Sequence, residues 1–402
     1  MLRRAPSGSR RARGATITRI AAFTLATATV VAACSGGGGG GNDAANSQKT
    51  GASDAATTTA PAPAPTTTTT APDATNVYAY TKPGMLSPKV AGDLSRVYVP
   101  NGGSNSVSVI DPATYQVIDT FAVGALPQHV VPAYDLSTLY VNNNQGNSLT
   151  PIDPKTGKPG LTIPVNDPYN LYFSPDGKYA IVMAERENQV DFRDPHTWKL
   201  IKSVPITHRG VNHADFSADG KTMIASCEFS GFVVRIDLAT LTVTGEANLG
   251  GQPIDVKLSP DGTVMYVANQ SRDGVSLLDP NTMTEVGFIP TAGGAHGLYV
   301  SRDTTKLYVT NRKAGTVSVI DFATRQIVAT WVIPGGGSPD MGGVSADGRE
   351  FWVTGRHNSV VYVFDTTTGQ LTHKIPVGSG PHGLAVFPQP GRYSLGHTGV
   401  YR

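Results

Sequence analysis

Residues 306–321 read KLYVTNRKAGTVSVID, and this stretch decides which fold the chain adopts. Two runs rich in valine, isoleucine and tyrosine flank the polar segment Arg312–Gly315. Apolar and polar residues alternate within both runs, which is typical of β-strands joined by a short loop. The second run ends in Val319-Ile320-Asp321, and its aspartate is a residue that favours the start of a turn. The stretch therefore predicts a β-hairpin.

The tripeptide that ends this hairpin recurs along the chain. In each copy two residues, at least one of them apolar, precede an aspartate. Seven aspartates occupy the final position, and they are separated by 42, 41, 43, 42, 42 and 44 residues: Asp111, Asp153, Asp194, Asp237, Asp279, Asp321 and Asp365. A period of about 40–45 residues is typical of a propeller blade. From about residue 85 onwards, the chain is therefore seven copies of one unit.

Each unit has the pattern of four short strands, with tight turns of the type Ser-Pro-Asp-Gly or Ser-Ala-Asp-Gly after the first strand. These turns occur at residues 174–177, 217–220, 259–262 and 345–348. One sheet with two apolar faces cannot bury both faces alone, whereas seven sheets around an axis cover one another. The sequence thus predicts an all-β, seven-bladed β-propeller of four-stranded antiparallel blades.

The last strand of the chain indicates how the ring closes. Residues 381–386 (PHGLAV) have the pattern of an innermost strand without the three strands that should follow, and residues 96–123 supply those three strands at the start of the repeats. We expect the C-terminal strand to complete the first blade. The alternative is that Leu86–Val90 serves as that strand. The polar tail Gly391–Gly399 is expected to fold back over one face of the ring near the channel.

The repeats also resemble a known family. The motif Tyr-Val-x-Asn occurs at residues 140–143, 266–269 and 308–311, together with Ser-Pro-Asp-Gly and Val-x-Val-Ile-Asp. In these motifs residues 85–387 resemble the YVTN-type β-propeller repeats of bacterial envelope proteins. The resemblance implies the seven-bladed fold. Related propellers include sugar-lactone hydrolases, a streptogramin lyase, the haem-binding part of a nitrite reductase and the copper domain of nitrous oxide reductase, so the fold alone selects no function.

The N-terminal residues have the composition of an export signal. Residues 1–33 contain six arginines and no acidic residue, and the apolar run Ile20–Ala33 is too short to span a bilayer. This run leads into Val31-Ala32-Ala33-Cys34, which resembles a bacterial lipobox. We therefore predict a lipoprotein signal peptide over residues 1–33. A lipidated Cys34 and a disordered Gly/Thr/Ala/Pro linker follow over residues 34–75, and the propeller with its tail covers residues 76–402.

These features predict attachment to the cell membrane through acyl chains, such as palmitate, on the extracytoplasmic face. The alternative is an ordinary secretory signal in which Cys34 has no role. The net charge of the chain is +2, and removal of the six N-terminal arginines leaves 26 basic and 30 acidic residues. A domain with that acidic excess has no general attraction for nucleic acid, so no nucleic-acid partner is predicted.

Candidate site residues lie where the innermost strands begin, because those ends converge on the central channel. One residue in each unit lies four or five positions before the first turn, and we predict that these residues bind a ligand at the channel mouth. They are His129, Asn170, His213, Asp255, His296, Asp340 and His382. Imidazole and carboxylate groups are ligands for zinc or copper, so the four histidines of this set form a candidate site for Cu or Zn. Two other interpretations stay open, a pocket for a small molecule or anion at the same mouth, and histidines with a purely structural role. Neighbouring residues of a strand point to opposite faces, which argues against convergence of all four rings.

Signatures of catalysis are weak, and no catalytic residue is assigned. Neither a Gly-x-Ser-x-Gly elbow nor a His-Glu-x-x-His motif occurs. We therefore favour a binding or scaffold module for an envelope protein, a glycan or a small molecule. The alternatives are a metal-binding or redox accessory protein and a lactonase-type hydrolase with Asp255 or Asp340 as base. The charged loops Glu185–Asn188 and Asn269–Asp273 are expected to form a solvated rim, and Cys227 is expected to be buried.

Overall fold

The computed structural model describes residues 75–402, and the structural statements that follow concern this part of the chain. It consists of seven antiparallel sheets, which we call blades 1 to 7 in chain order. The predicted signal peptide, Cys34 and the predicted linker up to residue 74 lie outside the described residues. The predicted all-β, seven-bladed propeller is confirmed.

Within each blade the strands follow the order of the sequence, from the channel to the outer edge. They are β1 (Arg96–Asn101), β2 (Ser106–Asp111) and β3 (Gln116–Ala122) in blade 1; β4 (Pro127–Pro132), β5 (Leu139–Asn143), β6 (Ser148–Asp153), β7 (Lys158–Pro159) and β8 (Ile163–Pro164) in blade 2; β9 (Asn170–Phe173), β10 (Ala180–Ala184), β11 (Gln189–Arg193) and β12 (Leu200–Pro205) in blade 3; β13 (Val211–Phe216), β14 (Thr222–Cys227), β15 (Phe232–Asp237) and β16 (Thr242–Asn248) in blade 4; β17 (Pro253–Leu258), β18 (Met265–Asn269), β19 (Gly274–Asp279) and β20 (Thr284–Pro290) in blade 5; β21 (Ala295–Val300), β22 (Lys306–Asn311), β23 (Thr316–Asp321) and β24 (Gln326–Val332) in blade 6; β25 (Pro339–Val344), β26 (Glu350–Gly355), β27 (Val360–Asp365) and β28 (Leu371–Pro376) in blade 7; and β29 (Ala385–Phe387), which returns to blade 1.

Helical structure in residues 75–402 is confined to two 3₁₀ turns, Pro88–Val90 and Glu228–Ser230. Over the same residues, no helix has the length and apolar character needed to cross a membrane.

The recurring aspartates have a structural role at the ends of the third strands. Asp111 and Asp237 each accept a hydrogen bond from the backbone N–H two residues later, at 3.0 and 3.1 Å. The same bond is made by Asp153, Asp194, Asp279 and Asp365, whereas Asp321 accepts from the backbone N–H three residues later. These Asx-type bonds fix the turn into the outermost strand. The repeat period of about 42 residues in the sequence therefore arises because each blade contains one such turn.

Closure of the ring follows the predicted arrangement. Strand β29 pairs antiparallel with β1, with Val386 opposite Val97, so that blade 1 contains both ends of the propeller. The backbone N–H groups of Gly102 and Gly103 extend this contact to Gly380 and Ser379 at 3.0 and 2.9 Å. Leu86 forms only isolated bridges to residues 390 and 391. The C-terminal strand therefore completes blade 1, and the alternative closure by residues 86–90 is wrong.

Apolar side chains fill the spaces between blades. Seven clusters of buried residues each join two adjacent blades, and one of them joins blade 7 to blade 1. Within a strand, alternate residues belong to different clusters: Phe351 and Val353 pack toward blade 6, whereas Trp352 packs toward blade 1. This period of two explains why the second and third strands of the blades are buried at nearly every position.

Blade 2 departs from the predicted four continuous strands. Its outer edge consists of two short strands, β7 and β8, both paired with β6. Proline lacks the N–H group that a ladder requires, and Pro159 and Pro164 both lie on this edge. The interruption is therefore a local property of an outermost strand, and it leaves the inner strands of the blade intact.

The two mouths of the channel differ. We call the end where the Ser-Pro-Asp-Gly-type turns lie the turn face, and the end where the innermost strands begin the loop face. At the turn face, the tail hydrogen-bonds blade 3 through the Leu395 carbonyl and the His397 N–H, at 2.9 and 2.8 Å. Arg402 pairs with Asp215 of blade 4 at 3.0 Å and stacks on Tyr78, whose hydroxyl donates to the Leu258 carbonyl. The tail thus covers the turn face, as expected.

Closure through β29 leads to a prediction about stability. Replacement of Val386, which is buried between blades 7 and 1, by aspartate places a carboxylate in an apolar interface. We expect Val386→Asp to lower the free energy of unfolding by about 3 kcal/mol or more, because a buried unpaired charge is strongly destabilising. Chemical denaturation measures the change. Val328→Asp, on an exposed outer strand, is the control with an expected effect within about 0.5 kcal/mol. Equal effects of the two variants would contradict the shared blade.

Candidate functional site

Bulges at the start of the innermost strands determine which side chains enter the channel. The pairing register shifts between Val211 and His213 in β13, and between Ala295 and Leu298 in β21. Equivalent shifts occur in β4, β17 and β25. A bulge leaves one residue unpaired and re-aims its side chain, so two successive residues of one strand contribute to the channel. Strict alternation of side chains, which argued against convergence of the four histidine rings, therefore does not hold at these positions.

The channel residues consequently form two layers. The upper layer, nearer the loop face, contains Tyr169, Asn212, His296, Asp340 and His382. The lower layer contains His129, Asn170, His213 and Asp255. All of these side chains are buried, as expected inside a narrow channel. The seven residues predicted from the sequence thus lie together, distributed between the two layers, while their binding of a ligand stays a prediction.

Asp340 organises one side of the upper layer. Its carboxylate accepts hydrogen bonds from His382 Nδ1 at 2.7 Å and from Arg312 Nε at 2.8 Å. His296 Nδ1 lies 3.2 Å from the same carboxylate, and the Arg312 guanidinium also contacts His296 Nε2. Burial by itself would raise the pKa of Asp340, but Arg312 and the two histidines reverse that effect and hold the pKa well below its ordinary value. Asp340 is therefore an ionised carboxylate that neutralises part of the arginine charge.

Asn212 organises the opposite side of the upper layer. Its amide nitrogen donates to the carboxylates of Glu185 and Glu228, at 3.0 and 2.7 Å, and its oxygen lies 2.9 Å from His213 Nδ1. An amide oxygen only accepts hydrogen bonds, so His213 carries its proton on Nδ1 and has a free electron pair on Nε2. Burial raises the pKa of Glu185 to about 7 and also raises the pKa of Glu228.

Three histidines converge in the lower part of the channel. The ring centroids of His129, His213 and His397 form a triangle with sides of 5.5, 5.2 and 5.2 Å. One nitrogen of each ring lies within 4.8 Å of a nitrogen of the other two. Burial lowers the pKa of all three imidazoles, and neighbouring histidines contribute to the same shift for His129 and His213. The rings are therefore neutral near pH 7 and have electron pairs available.

This group differs from the predicted metal site of His129, His213, His296 and His382. The structure brings His129 and His213 together with His397 of the tail, whereas His296 and His382 hydrogen-bond the ion-pair network around Asp340. His397 lies outside the repeats, so no alignment of blades indicates its position. The only signal in the sequence was the unusual polarity of the tail.

A ring of equivalent positions surrounds the loop-face mouth above these layers. Each position directly follows the second strand of its blade: Gly102, Asn144, Glu185, Glu228, Gln270, Arg312 and Arg356. The two glutamates come from blades 3 and 4, and the two arginines come from blades 6 and 7. The loop that starts at Glu185 was predicted as a solvated rim, and this holds for the exposed Arg186 and Glu187 but not for Glu185 itself. The mouth therefore has an acidic side and a basic side.

Cys227 is buried in β14, as expected, next to the mouth residue Glu228. Burial raises the pKa of its thiol to about 12, so the thiol is protonated at neutral pH. A protonated, inaccessible thiol is not suited to nucleophilic chemistry.

Comparison with known proteins assigns the fold. A model of the YNCE-like beta-propeller family matches residues 75–392, about four-fifths of the chain. Solved structures with the same fold include hydrazine synthase from Kuenenia stuttgartiensis (20% identity, TM-score 0.57, covering 64% of this chain and 88% of that one). A functionally unknown protein from Desulfotomaculum acetoxidans is also similar (17% identity, TM-score 0.64, covering 73% and 98%), as is the dihydro-heme d1 dehydrogenase NirN in complex with DHE (16% identity, TM-score 0.58, covering 76% and 77%). These identities support likeness of fold alone. No curated protein matches the sequence.

The packing of the lower layer depends on a glycine of the closing strand. A Cβ atom on Gly383 would lie 2.0 Å from His129 Nδ1, so any larger residue displaces the His129 ring. We expect Gly383→Ala to lower the free energy of unfolding by about 1–3 kcal/mol, because a buried ring has little room to move. Thermal denaturation measures the stability, and the His129 imidazole resonance in NMR spectra reports the displacement.

Gly293 provides the control for this substitution. The nearest atom to a Cβ at Gly293 is 3.6 Å away, an ordinary contact, so Gly293→Ala is expected to be tolerated. If Gly383→Ala has the stability and the His129 resonance of the unmodified protein, the described packing of His129 is wrong.

Proposed function

The chain belongs to the YNCE-like beta-propeller family, and we propose that it is a lipid-anchored, extracytoplasmic binding module that takes a small ligand at the loop-face mouth of its channel. The ligand class that fits this mouth is a molecule with both an ammonium group and an anionic group, such as an amino acid or a short peptide. The observation that supports the proposal is the separation of charge around the mouth, with two glutamates on one side and two arginines on the other.

The acidic side is suited to an ammonium group. Glu185 and Glu228 both accept from the single amide nitrogen of Asn212, so two carboxylates converge on one neutral donor. Burial raises the pKa of Glu185 to about 7, and the nearby Glu228 carboxylate adds to the shift, so a negative charge on Glu185 costs free energy in this environment. A bound ammonium group would supply the missing positive charge and three hydrogen-bond donors.

The basic side is suited to a carboxylate or another anion. Arg312 is held by Asp340. Within residues 75–402, the contacts of the Arg356 guanidinium with polar side chains are long, 3.5 Å to Gln128 Oε1 and 3.6 Å to Asp340 Oδ2. About a quarter of the Arg356 side chain is exposed. Its N–H groups are therefore available for a paired interaction with a carboxylate, the geometry that guanidinium groups favour.

The alternative of a lactonase-type hydrolase is less well supported by these contacts. A general base requires a pKa close to the working pH. The pKa of Asp255 is lowered, because Lys257 and His397 outweigh the effect of burial, and Asp340 is held ionised by Arg312. Both candidate bases are thus carboxylates whose pKa lies below the range that a general base needs near neutral pH. The alternative of a metal-binding protein rests on a different set of residues, the three histidines below the mouth.

Ligand binding can be tested with a panel of free amino acids and short peptides, measured by calorimetry and thermal shift. The panel includes the same molecules without the amine and without the carboxylate. We expect zwitterionic molecules of suitable size to bind. Arg356→Met should weaken their binding about tenfold or more, because a charge-assisted hydrogen bond contributes about 1.5–3 kcal/mol. Glu185→Gln should weaken the binding of molecules that have an amine and leave the affinity for amine-free carboxylates unchanged.

The matched controls are Arg349→Met and Glu246→Gln, both exposed and outside the mouth ring. Equal binding of the amine-free molecules, or unchanged binding by both mouth variants, would exclude the proposed ligand class.

The proposed anchor gives a separate prediction. If Cys34 carries the acyl chains, the unmodified protein should be recovered with membranes and labelled by palmitate, and Cys34→Ser should abolish both, because the acyl chains provide the membrane affinity. Fractionation and metabolic labelling provide the measurement. Cys227→Ala is the control and should remain membrane-bound. Recovery of Cys34→Ser in the membrane fraction at the level of the unmodified protein would rule out this anchor.

A further inference from the structure

The structure assigns a second site to this protein, below the proposed ligand mouth: we propose that His129, His213 and His397 bind one transition-metal dication of the zinc class. Two of these histidines come from the innermost strands β4 and β13, and the third comes from the C-terminal tail. The site is thus complete only when the tail is docked on the turn face.

The separation of the three rings fits a tetrahedral ion. With Zn–N bonds of about 2.0–2.1 Å and tetrahedral angles, the centroids of two coordinating imidazoles lie roughly 5 Å apart. The three observed separations are 5.2 to 5.5 Å. The backbone therefore already places the rings at the required distance. Their nitrogens, at up to 4.8 Å from one another, have to close to roughly 3.4 Å for such bonds, which requires rotation and a small inward shift of the rings.

The nitrogens of this group also have few alternative partners. Both nitrogens of His129 are buried without a hydrogen bond, and so are Nε2 of His213 and Nε2 of His397. A buried polar atom without a partner costs free energy, so four such atoms in one cluster indicate a missing ligand. Neutral imidazole nitrogens are common ligands of zinc and related ions.

The surroundings of the cluster match the outer shell of a metal site. His213 donates through Nδ1 to Asn212, which leaves Nε2 unprotonated and fixes the ring. Asp255 Oδ1 lies 3.6 Å from His397 Nε2, so an ionised carboxylate is available to offset the charge of a dication. The Asn170 amide nitrogen donates to Nδ1 of His397 at 2.9 Å, so the neutral ring carries its proton on Nε2. Coordination through Nε2 therefore requires this proton to move to Nδ1, and the Asn170 amide must turn so that its oxygen accepts it. Three protein ligands leave a fourth position for water or for a group that enters from the mouth.

The other two channel histidines are unsuited to the same ion. Nε2 of His382 already has a hydrogen-bond partner in the Tyr169 hydroxyl, 3.4 Å away. The Arg312 guanidinium, a permanent positive charge, contacts Nε2 of His296. A dication next to Arg312 would be repelled. The site therefore excludes half of the histidines that the repeat alignment selects and includes one from outside the repeats.

The test measures the metal content of the untagged full chain, produced with zinc, cobalt or copper in the medium and also refolded with each ion. We expect about one equivalent of zinc per chain, and a visible absorption band of four-coordinate cobalt in the cobalt form. Single variants His129→Gln, His213→Gln and His397→Gln should each weaken zinc binding at least tenfold. His196→Gln, an exposed histidine outside the channel, is the control and should leave the affinity unchanged.

Circular dichroism checks that each variant is folded, and the unmodified chain supplies an independent readout, an increase in melting temperature with zinc that EDTA reverses. Less than about 0.1 equivalent of all three metals on the unmodified chain would overturn the proposal. Stoichiometric zinc that all three channel variants retain would also overturn it, because the ion would then lie elsewhere. These measurements involve no ligand of the mouth, so they are independent of the proposed function.

Discussion

Every blade of this protein has two apolar faces, and the need to cover both at once is the constraint on which the rest of the structure depends. A single sheet cannot satisfy it, and an open row of sheets leaves a face exposed at each end. The seven buried clusters, one per blade interface, show that the constraint is met all the way around. The interface between blades 7 and 1 exists because β29 pairs with β1, so the two ends of the propeller are held in one sheet.

The polar channel is a consequence of this closed ring. Radial packing brings the starts of seven innermost strands together, and bulges allow two residues of a strand to face the axis. Charges enclosed in this way require partners, which explains why Asp340 is surrounded by Arg312, His296 and His382. The compensation is incomplete in two places. Glu185 and Glu228 share one amide nitrogen, and the rings of His129, His213 and His397 leave nitrogens without partners. These two places are the basis of the ligand proposal and of the metal proposal.

The features that repeat were predictable from the sequence. Seven aspartates gave the number of blades because each one caps the same turn, and residues 381–386 indicated the closing strand because they copy an innermost strand. The seven candidate site residues were found in the same way. The features that do not repeat were missed. The bulges depend on local pairing registers, Glu185 and Arg356 were recognisable as mouth residues only from the ends of the second strands, and His397 belongs to no repeat.

The tail connects the fold to the proposed metal site, since the residues that follow the closing strand cover the turn face and supply His397. Hydrogen–deuterium exchange of the full chain tests this arrangement most directly. The account predicts that the amides of residues 385–387 and of Leu395 and His397 exchange at least about 10³-fold more slowly than in an unfolded chain, as amides of a stable interior do. Rapid exchange of these amides, with the rest of the propeller protected, would contradict a ring closed by its C-terminal strand and tail.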